Sequence, residues 1–169
     1  TNNLGNKMQK VYIETSIVSY LVGKSSRDVI TLAQQEITKE WWEKCRLNFE
    51  LFVSELVIEE AKKGDLTAAE KRISVLNELS ILVSNRQAVE LAKAFLATGS
   101  LPQKASADAL HIAIATVHYV EFLLTWNCTH IANAQIQRAL SKVAQHNNYE
   151  LPIICTPNEL MGEKDYVER

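Results

Sequence analysis

The stretch Lys10-Val11-Tyr12-Ile13-Glu14-Thr15-Ser16-Ile17-Val18-Ser19-Tyr20 organises the interpretation of the whole chain. Val11 to Ile13 are β-formers with too few polar positions between them for a half-exposed strand, which indicates a strand buried on both faces. The run ends on the carboxylate of Glu14, and two hydroxyl residues that can cap a helix follow it. The stretch therefore predicts a buried strand, an acid at its carboxyl end, and a short helix. In open α/β sheets, ligands bind at this edge, where the strand order reverses.

Length and composition indicate one ordinary globular domain. The chain has 169 residues, of which 47% are apolar and 22% are charged, and its formal net charge is -2. Bulk charge therefore does not favour nucleic acid, and a polyanionic partner must be held by a local patch or a bound cation. We expect a single domain over residues 9–162, a tag remnant or disordered N-terminus over 1–8, and a C-terminal tail over 163–169.

The cysteines and the hydropathy pattern indicate a cytoplasmic protein. Cys45, Cys128 and Cys155 are odd in number, widely spaced and form no CxxC motif, which suits a reducing compartment. No apolar run approaches the ~20 residues that a bilayer span needs, and no signal peptide is recognisable. We therefore expect no membrane association.

Four more short apolar runs predict strands, over residues 49–53, 81–83, 122–125 and 152–155. Helical patterns lie between them, over residues 27–47, 55–63, 66–79, 86–97 and 104–118, with a further helix that ends near residue 144. Short apolar strands separated by helices call for a parallel sheet covered on both faces. The predicted fold class is therefore α/β, a three-layer α/β/α sandwich around a mainly parallel sheet of about five strands.

The helix over residues 27–47 has two distinct faces. Its apolar spacing predicts a core face made of Ile30, Ala33, Ile37 and Trp41. A second set of residues aligns on another arc, and consists of Thr31, Gln35, Thr38 and Trp42. That arc is either a solvated flank with one aromatic residue at its border or a contact surface for a partner.

The helix over residues 104–118 is apolar on almost all sides, which predicts a buried helix. Asp108 in its first turns is then a carboxylate on a buried element, where an unpaired charge is costly. A capping role would fall more naturally to Ser106, so we interpret Asp108 as functional. His111 lies one turn further on, and we interpret it as a satisfied interior histidine rather than a base.

Strand-end acids carry the predicted chemistry. The chain has no phosphate-binding glycine loop, no nucleophile elbow and no zinc-ligand spacing. What remains is Glu14, Glu60 and Asp108, and two carboxylates 4 Å apart repel by about 4 kcal/mol at an effective dielectric of 20. Three together need a cation, and oxygen ligands favour Mg²⁺ or Mn²⁺. Such a cluster suits hydrolysis of a phosphodiester.

The ordered set of motifs resembles the PIN-domain ribonucleases, and among them the VapC-like toxins of type II toxin–antitoxin systems. The motifs are Val-Tyr-Ile-Glu14-Thr-Ser, Ser54 with Glu60-Ala-Lys-Lys-Gly64, Asp108-Ala-Leu-His-Ile-Ala-Ile-Ala, and Leu-Leu-Thr125-Trp-Asn127. The resemblance implies an α/β/α sandwich, a Mg²⁺- or Mn²⁺-dependent endoribonuclease, a homodimer, and neutralisation by a small antitoxin protein. Gln35-x-x-Thr38-x-x-Trp41-Trp42 resembles one branch of the family, in which this helix borders the active-site groove.

The resemblance also assigns roles to single residues, with two departures from the family pattern. Glu14 stands where the family usually has Asp, and Asn127 stands at the fourth acidic position as a neutral oxygen ligand. Glu60 rather than Glu59 matches the second acid, because of its spacing before Gly64. The hydroxyl residues are either substrate- or water-positioning groups or simple caps, and they are Thr15, Ser16 and Thr125.

Two other functions remain open from the sequence. A degenerate PIN-like domain would bind RNA or a protein without cutting, and Asn127 favours that alternative. A receiver-like signalling domain also gathers acids and Mg²⁺ at strand ends. It is disfavoured because no acid pair follows the first strand and no lysine ends the last one, where Cys155-Thr156-Pro157 stands instead.

Overall fold

The computed structural model describes residues 7–162, in which five strands form one parallel sheet. The strands are β1 (Gln9–Ile13), β2 (Phe49–Ser54), β3 (Ser80–Leu82), β4 (Phe122–Leu124) and β5 (Ile153–Cys155). Their order is β3-β2-β1-β4-β5, and all four pairings are parallel. The predicted fold class, an α/β sandwich around a parallel five-stranded sheet, is confirmed.

Seven α-helices alternate with these strands within residues 7–162. They are α1 (Thr15–Val22), α2 (Val29–Lys44), α3 (Glu55–Ala61), α4 (Leu66–Leu76), α5 (Arg86–Ala97), α6 (Ser106–Val117) and α7 (Ala134–His146). Short 3₁₀ turns cover Arg46–Asn48, Gln103–Ala105 and Pro157–Leu160. Polar side chains accept from the first backbone N–H groups of several helices, as with Ser54 for α3 and Asn133 for α7.

The sheet order places Glu14 at the point where the strand order reverses. From β1 the chain proceeds to β2 and β3 on one side, whereas β4 and β5 lie on the other side. Val11, Tyr12 and Ile13 are each 0% exposed, as expected for the central strand of a covered sheet. The residue after β1 therefore lies at the topological switch point, where α/β sheets bind ligands.

The buried helix predicted around Asp108 is present as α6. Every residue from His111 to Val117 is buried, and α6 packs chiefly against α5. Ala105 precedes the helix and makes no side-chain cap, and Ser106 is its first residue rather than its cap. Asp108 therefore lies in the first turn, where a carboxylate is favoured by the helix dipole.

The predicted faces of the helix over residues 27–47 were wrong. Ile30 is 70% exposed and Ala33 is also exposed. The residues buried on α2 are Gln35, Thr38, Trp41 and Trp42, which are 5%, 0%, 0% and 9% exposed. Trp41 does lie in the core, as predicted. Gln35, Thr38 and Trp42, which the sequence left as either a solvated flank or a contact surface, are also buried.

The physical reason is that the polar side chains of α2 find partners inside the protein. Gln35 accepts from the backbone N–H of Ser26 at 2.9 Å and donates to the carbonyl of Lys24 at 2.9 Å. Thr38 donates to the carbonyl of Gln34 at 2.6 Å. A polar group that is hydrogen-bonded in this way can be buried without a large cost. The spacing of apolar residues alone therefore does not determine the orientation of α2.

Two further expectations concern the chain ends and membrane-spanning segments. Residues 1–6 and 163–169, which include most of the predicted N-terminal segment and all of the predicted tail, lie outside the described residues. Among the helices of residues 7–162, none is both long enough and apolar enough to cross a lipid bilayer.

Candidate active site at the carboxyl edge of the sheet

Glu14 is a buried carboxylate held by three hydrogen bonds. It is 5% exposed and caps α1, with Oε2 accepting from the backbone N–H of Ser16 at 2.7 Å. Its Oε1 accepts from the hydroxyl of Ser16 at 2.7 Å and from the hydroxyl of Thr125 at 2.5 Å. These donors offset the cost of burying the carboxylate and fix its orientation.

Thr125 connects Glu14 to the loop that follows β4. Its Oγ1 accepts from the backbone N–H of Asn127 at 2.9 Å while its hydroxyl hydrogen is given to Glu14. The Asn127 side chain then donates from Nδ2 to Oδ1 of Asp108 at 3.1 Å. Asn127 thus lies beside Asp108. Two residues, Thr125 and Asn127, connect Asp108 to Glu14 through hydrogen bonds.

Asp108 also pairs with His130, which sequence reasoning did not single out. Oδ2 of Asp108 lies 2.9 Å from Nδ1 of His130, and the two side chains are 20% and 23% exposed. The backbone N–H of His130 donates to Oδ1 of Asn127 at 3.1 Å, so the loop folds back onto the asparagine. The position of His130 three residues after Asn127 is a weak sequence signal for this turn.

Glu60 reaches the same region from α3. Its Oε1 accepts from the hydroxyl of Thr15 at 2.7 Å and lies 2.5 Å from Nε2 of His111. Partial burial raises the pKa of Glu60, but the hydrogen bonds from His111 and Thr15 outweigh it and lower the pKa below its ordinary value. Glu59 instead points to solvent, 67% exposed and paired with Lys62 at 2.9 Å.

A buried polar chain lies behind Glu60. His111 is 1% exposed, and its Nδ1 lies 2.7 Å from the hydroxyl of Tyr12, which lies 2.7 Å from Oγ of Ser54. Burial raises the pKa of Tyr12 far above its ordinary value, so its phenol stays protonated. His111 is a satisfied interior histidine, as predicted, but its second contact is with a site residue.

The helix α2 borders the site through Trp126, which follows Thr125. The indole Nε1 of Trp126 donates to Oγ1 of Thr38 at 2.7 Å, and its backbone N–H donates to Oγ of Ser16 at 2.8 Å. Its ring stacks on Tyr20 with centroids 6.3 Å apart and an interplanar angle of 20°. The role of α2 is therefore to support the loop of the site from inside.

The structure brings together all four predicted acid-position residues and all three predicted hydroxyl residues. Hydrogen bonds connect Ser16, Glu14, Thr125, Asn127 and Asp108 in that order. A separate hydrogen bond connects Glu60 to Thr15, which precedes Ser16 in the chain. The hydroxyl groups of Thr15, Ser16 and Thr125 all donate to carboxylates. They act as supports for the acids in this arrangement.

The donor chemistry of the site suits a hard cation, but the arrangement does not. Mg²⁺ and Mn²⁺ prefer oxygen ligands, and Glu14, Glu60 and Asp108 supply them. Within residues 7–162, however, no three His, Cys, Asp or Glu side chains are grouped so that they could hold a metal ion. Each acid is instead stabilised by hydrogen bonds from neighbouring residues.

Comparison with known proteins supports the fold and leaves the sequence family open. Neither a protein-family model nor a curated protein matches the chain. Among solved structures, the chain is similar to one from the VapBC2 complex of Rickettsia felis, which was crystallised bound to a DNA fragment from its promoter. The TM-score is 0.58 at 14% identity, over 88% of this chain and 98% of the other. Likeness at this identity shows a shared fold, so the chain has the same α/β fold as that structure.

Proposed function

We propose that this protein is a PIN-type endoribonuclease that hydrolyses RNA phosphodiester bonds and acts as the toxin of a toxin–antitoxin pair. One observation carries the proposal. Glu14, Asp108 and Asn127 share one hydrogen-bonded network at the switch point of the sheet, and Glu60 bonds to Thr15, the chain neighbour of Ser16 in that network. Three acids at such an edge suit the binding and cleavage of a phosphodiester.

The proposed cofactor is Mg²⁺ or Mn²⁺, with Glu14, Glu60 and Asp108 as ligands. As they stand, these residues do not fit a three-carboxylate metal site. Both oxygens of Glu14 and both of Asp108 already accept or share hydrogen bonds. An ionised carboxylate has about four acceptor sites, so Oε2 of Glu14 and both oxygens of Asp108 keep a lone pair that a cation could use.

The proposed partners follow from the fold and the resemblance. The similar structure is from the VapBC2 complex of Rickettsia felis, bound to a DNA fragment from its promoter. By analogy we propose an RNA substrate, a cognate antitoxin protein, a homodimer and a cytoplasmic location for this chain. Fold-level analogy supports these assignments, and the site chemistry supports the RNA substrate.

A second candidate function is favoured by the hydrogen bonding of the acids. Asn127 is neutral at the fourth acidic position and donates to Asp108, so that a hydrogen bond stabilises this carboxylate without a cation. A site stabilised without metal suits a degenerate PIN-like domain that binds RNA or a protein partner without cleaving.

Cleavage of a labelled single-stranded RNA in Mg²⁺, in Mn²⁺ and in chelator tests both candidates. The proposed nuclease cuts only with metal, and Glu60→Gln or Asp108→Asn abolishes the cutting. Glu59→Gln is the matched control, because Glu59 is exposed and lies outside the network. Binding of the RNA by fluorescence anisotropy, with no cutting under any condition, would instead support the second candidate.

A further inference from the structure

We infer that Tyr12 and His111 are positioning residues that hold Glu60 with one carboxylate oxygen occupied and the other presented to the site. The inference rests on the proposed function, in which Glu60 acts on the substrate or on its cofactor. It concerns a chain of four side chains, Ser54, Tyr12, His111 and Glu60, in which each side chain lies within hydrogen-bonding distance of the next.

The direction of the hydrogen bonds in this chain is set at its Ser54 end. Oγ of Ser54 accepts from the backbone N–H of Val57 at 3.3 Å, so its own hydrogen is free to be given to the oxygen of Tyr12. Tyr12 then donates to Nδ1 of His111, and Nε2–H of His111 donates to Oε1 of Glu60. Every group in this arrangement is satisfied with a neutral imidazole.

The opposite direction leaves a proton without an acceptor. If Nδ1 of His111 carried a hydrogen, Tyr12 would have to donate to Ser54, and the hydroxyl hydrogen of Ser54 would find no acceptor among the contacts of residues 7–162. An unsatisfied buried hydroxyl is costly, because it loses its hydrogen bonds to water and gains none in the protein. Tyr12 therefore selects the Nε2–H tautomer of His111, which is the tautomer that can donate to Glu60.

The consequence appears at the carboxylate of Glu60. Oε1 accepts from both His111 and Thr15, whereas Oε2 accepts from no group within residues 7–162. Glu14 and Asp108 differ, because each of their oxygens is engaged by Ser16, Thr125, Asn127 or His130. Among the oxygens of these three acids, Oε2 of Glu60 is thus the one that accepts no hydrogen bond within residues 7–162.

A purely packing role does not explain the chain. His111 is 1% exposed and Tyr12 is 0% exposed, in a region where apolar side chains would avoid the cost of burying polar groups. The rings of Tyr12 and His111 meet edge to face, with centroids 5.8 Å apart, which adds packing to the hydrogen bond. A satisfied buried network of this kind fixes one geometry, which is what a site residue requires.

The test combines a spectroscopic measurement with a kinetic one. Imidazole ¹⁵N NMR of the full chain reports the His111 tautomer without any need for activity. RNA cleavage, where present, is resolved into kcat and KM. The variants are Tyr12→Phe, which removes one hydroxyl, and the pair His111→Gln and His111→Leu, of which only glutamine keeps an amide donor. The matched control is Thr116→Val, which removes a buried hydroxyl bond on the same helix α6 and touches no acid.

We expect the Nε2–H tautomer in the wild-type protein and a mixture of tautomers in Tyr12→Phe. We expect kcat to fall about 10- to 100-fold in Tyr12→Phe and about 100-fold in His111→Leu, with KM unchanged. His111→Gln should recover much of the loss, and Thr116→Val should resemble the wild type in both measurements.

Two results would overturn the inference. One is a His111 tautomer that Tyr12→Phe leaves unchanged, and the other is equal loss of kcat in His111→Gln and His111→Leu. A wild-type protein that cuts no RNA, yet shows the Nε2–H tautomer and loses it in Tyr12→Phe, supports the positioning of Glu60 while the proposed nuclease activity fails.

Discussion

Thr125 donates its hydroxyl to Oε1 of Glu14 across 2.5 Å, and this contact joins the residues that follow β4 and β1. The two residues are 111 positions apart in the chain, so the bond exists only after the central strands have paired. Because Thr125 also accepts from the backbone of Asn127, it couples the buried acid to the loop that carries the fourth site residue.

Replacement of Thr125 by the isosteric valine should destabilise the protein by about 1–3 kcal/mol. Valine removes the hydroxyl that donates to Glu14 and accepts from the backbone N–H of Asn127. Water cannot readily replace this hydroxyl, so both partners lose a hydrogen bond. Urea unfolding gives the free energy. Thr129→Val at an exposed position is the matched control, and an equal effect of the two variants would contradict the prediction.

The packing of α2 predicts that substitution of Trp42 destabilises the protein more than substitution of Ile30, the reverse of what apolar spacing predicted. Trp42 is 9% exposed and stacks under the guanidinium of Arg46 at 5.1 Å, so Trp42→Ala should cost about 3 kcal/mol. Ile30 is 70% exposed, and Ile30→Ala should change the free energy of unfolding by less than about 0.5 kcal/mol. Thermal melts of the two variants decide between this orientation and the one that apolar spacing predicted.

The sequence was informative where burial depends on apolar residues alone. Val11 to Ile13 and the helix α6 were predicted because few polar residues interrupt them, so burial on all sides was the consistent interpretation. We predicted that Glu14, Glu60 and Asp108 converge because the carboxyl ends of parallel strands meet at one edge of the sheet.

The sequence was uninformative where burial depends on hydrogen bonds between distant residues. Gln35 and Thr38 are buried because their partners are a loop carbonyl and the indole of Trp126, which periodicity does not include. The contact of Tyr12 with His111 spans 99 positions, and that of Asp108 with His130 depends on the path of the loop after β4. Such pairs follow from the assembled fold.

The pKa of Glu60 predicts an acid-sensitive contribution to stability. Burial raises this pKa, but hydrogen bonds from His111 and Thr15 outweigh burial and place the folded-state value below 4.5. The stabilisation is therefore complete above about pH 4.5 and is lost as the pH falls through the lower folded-state pKa. Urea unfolding of the wild type and Glu60→Gln from pH 7 to pH 3 should show convergence of the two free energies in acid, and parallel curves would contradict it.

Neutralising Asp108 should destabilise the metal-free protein. Relief of repulsion in an acid cluster would have the opposite sign, but Asp108 accepts from Asn127 and pairs with His130. In Asp108→Asn one carboxylate oxygen becomes an amide NH2, which faces Asn127 or His130 and cannot accept from it. We therefore expect the free energy of unfolding to fall by about 1–2 kcal/mol in chelator. Glu59→Gln should lose almost nothing, and an Asp108→Asn protein more stable than the wild type would show that repulsion dominates.

The exchange Asn127→Asp tests whether the amide of Asn127 stands in place of a cation. Oδ1 of Asn127 accepts from the backbone of His130, and an aspartate keeps that bond. Nδ2 donates to Asp108 at 3.1 Å, and an aspartate there places two carboxylates together, with a repulsion of up to about 4 kcal/mol at 4 Å and an effective dielectric of 20. The variant should therefore melt below the wild type in chelator.

Addition of Mn²⁺ should reverse that loss, because a cation between Asp108 and the new aspartate replaces the missing amide donor and binds only the folded state. Calorimetric titration should show tighter Mn²⁺ binding by Asn127→Asp than by the wild type. Asn133→Asp is the matched control, since an aspartate caps α7 as well as the asparagine does and adds the same charge outside the network. Equal melting temperatures of Asn127→Asp and the wild type in chelator would mean that residues 127 and 108 do not face each other in solution.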